Sequence, residues 1–554
     1  MNRIILAIVG VMAALVIAVG VAVIVLVATG GDGDGDGQAT EENGDEGEDR
    51  TAGELRLSGP EPITLDPHVT ADAGSALYIV EIYGGLLTLD PELELQPDLA
   101  EAIPTEANGG KVVNSDGTVT YTFNLREDAL FHDRRPVTAN DVKFSLERAA
   151  DPATLSVVAE FFLGDIVGVK EKLGGETDQV SGVEVIDNRT IAITIERDLP
   201  NFLFKLTYPT SFVVDQREVE ADPRNWMRRP NGTGPYKLQE WRFGERIVLE
   251  ANERYHLGPP NVEKVTYLLA GGGITLYETG EVDVAGVALD DLESIQEPTH
   301  PLNPEYRQGA RLAVDYIGFN VNIPPFDDPK VREAFARAID KDQIVSAIFK
   351  DAFPAANSIV MPGLDAYDSE ARAPEFDPEL AAELLAEAGY PEGEGLPPIT
   401  LAESGAGATS GPATGAIIEM WRQNLGVEVE IQQAETATFF QDVQQGRLQM
   451  WLLGWIMDYP DEEDILNIHF DSDSPNNDTG YSNPEVDALL REALTEQDPQ
   501  QRIDLYREAE QLILDDISWF PLFFSRFHVL VKPNVADYLI PAAIVPRLRF
   551  INLE

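Results

Sequence analysis

The sequence predicts a mixed α/β protein built from more than one lobe, and three observations carry that expectation. The chain has 554 residues, beyond the ~250–300 at which a single hydrophobic core stops growing. Hydrophobic residues make up 44% and charged residues 25%, as in ordinary folded chains. From Glu54 onward, helical and strand patterns interleave without repeats and without the strict alternation of a barrel.

The N-terminus comes first. After Met1, Asn2 and Arg3, the run from Ile4 to Thr29 carries no charge. It is longer than the ~7–15 apolar residues of a secretory signal and long enough for the ~20 that span a bilayer. Residues 1–30 therefore read as a retained transmembrane anchor, with a cleaved signal as the alternative. Arg3 on the short side, with acid following, directs the remainder to the outer face. Residues 31–53 are Gly and acid with almost nothing apolar, so they cannot bury a core and read as a tether. Asp32, Asp34, Asp36 and Gly37 imitate the start of an EF-hand loop. Its twelfth position, however, is Asn43 rather than a bidentate Glu, so calcium binding is not expected.

Strands follow from β-branched or alternating runs: Thr118–Leu125, a hairpin over Val183–Ile195 turning at Asp187-Asn188, Ile247–Ala251, Val262–Leu268 and Val427–Ile431. Helices begin with a capping side chain and then Pro at the first helical position. Asp328-Pro329 opens a single predicted helix through Phe349, with Val331, Phe335, Ala338 and Ile339 as its apolar stripe. Asp377-Pro378 opens one through Leu380, Leu384 and Leu385, stopped by Gly389. Asn483-Pro484 leads into Val486, Leu489, Leu490 and Ala493, and Asp498-Pro499 into Ile503, Tyr506, Leu512 and Ile513. Thr138 with Asp141 three residues on forms a capping box.

Charge and composition exclude several function classes. Lys+Arg 40 against Asp+Glu 96 gives a formal −56, which repels nucleic acid and anionic lipid. Such acidity fits a protein adapted to concentrated salt, or simply a well-solvated acidic surface. The absence of cysteine removes disulfides, thiolate metal sites, a Cys nucleophile and a lipid-bearing N-terminal Cys. Neither a G-x-x-x-x-G-K-[ST] phosphate loop nor a G-x-S-x-G elbow occurs. Gly271-Gly272-Gly273 lacks dinucleotide-binding spacing and reads as a turn. His68, His132, His256, His300, His469 and His528 are scattered without metal-ligand spacing. The expectation is a protein without catalysis, cofactor or metal.

Aromatic density beside an acid stands out instead. Met450–Asp464 reads MWLLGWIMDYPDEED, a buried strand ending in Trp455, Asp458 and Tyr459. Aromatics around one charged group suit an amphipathic small ligand. The plainer reading makes Trp451 and Trp455 core and Asp458 a cap.

Five strings, in order, resemble the peptide/nickel family of extracellular solute-binding proteins, the dipeptide- and oligopeptide-binding type. They are FHDRRPVTANDVKFSLERA at 131–149, NGTGPYKLQEWRFGERIVLEANERYHLGPPNVEKV at 231–265, YIGFNVNIPPFDDPKVREAFARAIDKDQI at 316–344, GWIMDYPDEEDILN at 454–467 and YSNPEVDALLREA at 481–493. The resemblance implies a two-lobed periplasmic-binding-protein type II-like fold with an inserted third domain. Lobe one would comprise 54–88, 201–312 and 520–554, the insert 89–200, and lobe two 313–519. The ligand would lie between lobes that close by hinge motion, partly held by main-chain hydrogen bonds. The implied ligand-binding residues are Asp458, Trp455, Tyr459, Gly454 and Tyr481, with Asp458 meeting the ligand's α-amino group. Dipeptide-binding relatives carry an Arg for the ligand carboxylate in the region matching Ala402–Thr414, which here has no Arg or Lys. A longer oligopeptide, or a cationic or neutral solute, fits better. The family's Asp-Gly turn is Asp133-Arg134-Arg135 here, and the apolar helix stands where many relatives have a lipid-bearing Cys.

The expected function is capture of oligopeptide-like ligands outside the membrane and their delivery to ABC permease subunits with cytoplasmic ATPases. Alternatives are uptake of a nickel chelate or other non-peptide solute, a membrane-anchored sensor, and, more remotely, a hydrolase.

Overall fold

The computed structural model describes residues 53–269, 271–405 and 410–554. The apolar run, the tether up to Ala52 and the EF-hand-like stretch lie outside the described residues. Among the described residues no helix is long and apolar enough to cross a membrane.

Ten strands form one sheet. In chain order they are β1 (Glu54–Ser58), β2 (Tyr236–Arg242), β3 (Arg246–Ala251), β4 (Lys264–Leu268), β5 (Val284–Gly286), β6 (Tyr306–Phe319), β7 (Ile399–Ser404), β8 (Val429–Ala434), β9 (Met450–Ile456) and β10 (Trp519–Val531). Across the sheet they run β8-β7-β9-β6-β10-β5-β1-β4-β3-β2. β6 and β10 are the long members, 14 and 13 residues. They pair antiparallel, with a register shift between Ala310 and Val314. Beyond that shift β6 pairs with β9, whereas the far end of β10 pairs with β5. Both strands therefore pass from one packed body to the other.

Three apolar cores surround this frame. In the first, α1 (Ala73–Ile82) sets Tyr78, Ile79 and Ile82 among Tyr236, Tyr267 and Trp226. In the second, α2 (Ala139–Ala149) packs on a separate antiparallel sheet of Lys111–Val113, Val119–Asn124, Thr190–Ile195 and Val183–Val185, in that spatial order. Both halves of the Thr138–Asp141 capping box are present. The third core gathers Phe335, Trp421, Trp451 and Tyr506. Its helices include α3 (Pro329–Arg337), α4 (Lys341–Ala347), α5 (Pro378–Glu387), α6 (Pro484–Thr495) and α7 (Pro499–Asp516).

The capping logic holds residue by residue. Asp328, Asp377, Asn483 and Asp498 each accept a main-chain N–H of the helix they open, with Pro at the start. Gly389, at φ +97°, takes the left-handed turn past α5. One expected helix is corrected: the stretch opened by Asp328 is two helices, α3 and α4. Asp340 accepts the N–H of Gln343 at 2.9 Å, which starts a new helix in mid-run. Val331, Phe335, Ala338 and Ile339 are still buried, because the break turns the chain without lifting its stripe off the core. The strand expected at Val427–Ile431 begins at Val429. Gly426, at φ +69°, caps the preceding helix, and the Val427 N–H still reaches back to the Trp421 carbonyl.

A candidate ligand cleft

β9 lies between β7 and β6 at the centre of its half of the sheet. Its Gly454 faces Asp315 of β6, and a Cβ there would stand 2.8 Å from the Asp315 Oδ1. Any larger residue at this position would have to displace that carboxylate. At Met457 the chain leaves the strand after one last bond, N–H to the Leu312 carbonyl at 2.9 Å. Asp458 follows at the mouth of a turn, and its N–H donates to Asp464 Oδ2 at 2.8 Å.

A cavity of about 200 Å3 opens beside this turn, and all three cores contribute walls. From the first come Asp72, Ala76 and Val80 of the α1 region. From the second come Val158, Phe161, Phe162 and Tyr208. β9 and its continuation add Gly454 through Asp458, and the C-terminal tail adds Ile544, Val545 and Pro546. The ring wall is ordered: Phe162 stacks on Tyr208 with centroids 3.7 Å apart and planes at 8°. Phe161 meets Phe162 edge-on at 4.7 Å. Trp455 stands edge-on to His469 at 4.3 Å, and burial keeps that imidazole neutral by lowering it to about 3.

The electrostatics are one-sided. Burial pushes the Asp458 carboxyl up to about 7, although part of the residue still faces the cavity. Asp464, fully buried, is held well above the usual carboxylate range by burial first and then by the Asp458 charge. Burial, and then Asp458, likewise holds the Tyr208 phenol far above its ordinary range. No lysine, arginine or histidine is among the described lining residues. No described ion pair reaches Asp458 or Asp464. A carboxylate so placed favours an incoming cation, because pairing offsets its desolvation.

Of the residues singled out from the sequence, Gly454, Trp455 and Asp458 meet at this wall. Tyr459 stands behind it, fully buried in the second core, its hydroxyl donating to Glu463. Glu463 also accepts from Asn201 Nδ2 at 2.9 Å and Lys205 Nζ at 3.3 Å, and Lys205 reaches Asp165 at 3.0 Å. Tyr459 thus helps lock the Asp458 turn to the second core. Tyr481 does not belong to the cleft: it is buried and donates to Asp516 Oδ2 at 2.7 Å, pinning the start of α6 to the end of α7. The residues that sequence reasoning missed are Phe161, Phe162 and Tyr208, Asp72, and the tail at Ile544–Pro546. The Phe161-Phe162 doublet was visible, but nothing in its spacing aims it at a strand end three hundred residues away. Among the described residues, no group of three His, Asp or Glu is arranged to hold a metal.

Two bodies joined by crossing strands, with an apolar cleft between them that carries acid and no base among its described lining residues, define a ligand-binding protein of the two-lobed kind. The comparisons place it more closely: residues 94–477 match the family described as bacterial extracellular solute-binding proteins, family 5, middle. The chain belongs to that family, whose members are binding proteins rather than enzymes. It is 32% identical over 499 residues to the periplasmic oligopeptide-binding protein OppA of Salmonella typhimurium, covering 87% of this chain and 89% of that one. It is 28% identical to the probable deoxycholate-binding periplasmic protein YgiS of Escherichia coli, over 86% of this chain and 89% of the other. In fold it resembles Haemophilus influenzae OppA in complex with the peptide RPPGFSPFR: TM-score 0.72, 24% identity, 90% of this chain and 98% of that one.

Proposed function

We propose that this protein captures peptides at the outer face of the membrane by their free amino end and delivers them to an ABC import permease. The observation that carries this reading is Asp458, a desolvated carboxylate with no described cation, at a cleft shared by three cores. Its relatives named as oligopeptide-binding proteins support the ligand class, and the family supports the permease partner.

A bile-acid-like ligand, the kind named for the YgiS relative, fits this cleft less well because of its charge. Such a ligand is an anion and would meet acids with no base among the described lining residues.

The division into lobe one, insert and lobe two at the boundaries given above accompanies this reading. So does retention of residues 1–30 as a membrane anchor. N-terminal sequencing of protein from native membranes tests the anchor: a mature start near Gly31 overturns it. Asp458→Asn tests the site. The ligand affinity is expected to fall roughly a hundredfold, since a buried charge loses its partner, with the ligand-free melting temperature no lower than that of wild type. An N-acetylated peptide should bind wild type weakly and the variant hardly more weakly. Equal binding of free and acetylated peptide by wild type would remove Asp458 as the amine's partner.

A further inference from the structure

Three properties of the cleft point beyond capture of an amine. Lining the same cavity as Asp458 is a block of rings: the Phe162–Tyr208 stack, with Phe161 edge-on to it. Tyr208 lies close enough to Asp458 for that charge to act on its phenol. Val80 and Val545 line the same cavity and are also apolar. A side chain attached next to the bound amine therefore meets a mostly apolar lining.

The second property is charge. Asp72 and Asp458 are the ionisable acids among the described lining residues, and no base accompanies them. Asp72 is committed to capping α1, its Oδ1 accepting the Ser75 N–H at 2.7 Å. An acidic side chain beside the amine would be desolvated among carboxylates without a partner, which is costly. A terminal carboxylate would fare no better. The third property is size. About 200 Å3 is less than the ~300–1,000 Å3 of a typical small-molecule site, so the cavity takes one end of a peptide rather than all of it.

We infer that this cleft selects peptides bearing an apolar, preferably aromatic, side chain next to a free amino terminus, and that it does not recognise the terminal carboxylate by charge. The inference rests on the amino-end reading above and adds a specificity to it. Phe161, Tyr208 and Val545 are the specificity-determining residues, and the excess of acid sets the discrimination against Glu and Asp.

The experiment uses the full chain, freed of retained ligand, and isothermal titration with four tetrapeptides. They are Phe-Ala-Ala-Ala, Glu-Ala-Ala-Ala, the C-terminal amide of the first, and its N-acetyl form. The Phe-first peptide should bind at least tenfold more tightly than the Glu-first one, and its amide within about twofold of the free acid. Val158→Arg places a base on a half-buried wall position and should narrow the Phe-over-Glu preference at least tenfold. Equal affinity for Phe-first and Glu-first peptides, with acetylation still harmful, overturns the side-chain specificity and leaves the amino-end reading standing. A tenfold loss on amidation overturns the carboxylate indifference, since some cation must then grip it. Harmless acetylation, or no binding of any of the four, brings down the amino-end reading and this inference together.

Discussion

Within seven residues, Asp458 to Asp464, the chain places five carboxylates, and they divide into two kinds. Asp461 takes Arg502 in a two-pronged pair at 2.7 and 2.8 Å. Glu463 takes Lys205, and Glu462 accepts the Ala366 N–H at 2.6 Å with Arg502 at 3.8 Å. Asp458 and Asp464 have no described cation. The first three are buried, as Asp464 is, so burial alone does not separate the groups. Partners do. The paired acids tie this turn to α7 and to the second core, and they fix the position of the two left without cations. Asp464 holds the Asp458 main chain, and Asp458 faces the cleft.

The comparison breaks hardest at Lys205. Its ammonium is buried, and although burial opposes its charge, Glu463 and Asp165 hold it far above the ordinary lysine range. Lys205→Met should cost about 3–5 kcal/mol, because Glu463 is left buried without its cation. Denaturant unfolding measures this, and adding Glu463→Gln should restore part of the loss. A cost below about 1 kcal/mol would mean that the paired acids are no more structural than surface ones.

A pH titration tests the unpaired kind. The folded protein holds the Asp458 proton up to about 7, against an ordinary 3.8. Between those values the folded state keeps a proton that the unfolded chain has lost. This group therefore lowers ligand-free stability as pH rises, and its effect is complete above about 7. Binding of an ammonium runs the other way, since it needs the ionised carboxylate. Affinity should rise roughly tenfold to a hundredfold from pH 5 to 7.5, and Asp458→Asn should flatten that profile. A flat wild-type profile would contradict the assignment.

Two smaller effects sharpen the contrast. Gly454→Ala drives a methyl against Asp315 and should cost ~1–3 kcal/mol, seen as a lower melting temperature together with weaker binding. Asp340 is an acid of neither kind: it only caps α4. Asp340→Ala should cost about 1 kcal/mol and leave affinity unchanged.

Much of this could be read before any coordinates. The helix starts at Pro329, Pro378, Pro484 and Pro499 were legible because a cap and a proline act within one turn of chain. The five strand stretches given ends above were legible for the same local reason, to within three residues at those ends. Asp458, Trp455 and Gly454 came from a local string shared with relatives. Where local signals compete, the sequence was misleading: the apolar stripe through Ile339 read as one helix, yet Asp340 ended it by offering the next turn a better acceptor. Tyr481 stood in an equally telling string, but its hydroxyl is taken by Asp516, 35 residues away.

What only the tertiary structure decided is which acids lack partners and which rings form the wall. All 96 acidic residues look alike in one dimension. Lys205 and Arg502 choose among those of the turn by reaching across 258 and 41 positions. Phe161 and Tyr208 share a cavity with Asp458 only because the second core is docked against the end of β9. Caps and periodicity are properties of neighbours in sequence, and so were written in the chain. Desolvation and pairing belong to neighbours in space, and they exist only once the three cores have closed around the cleft.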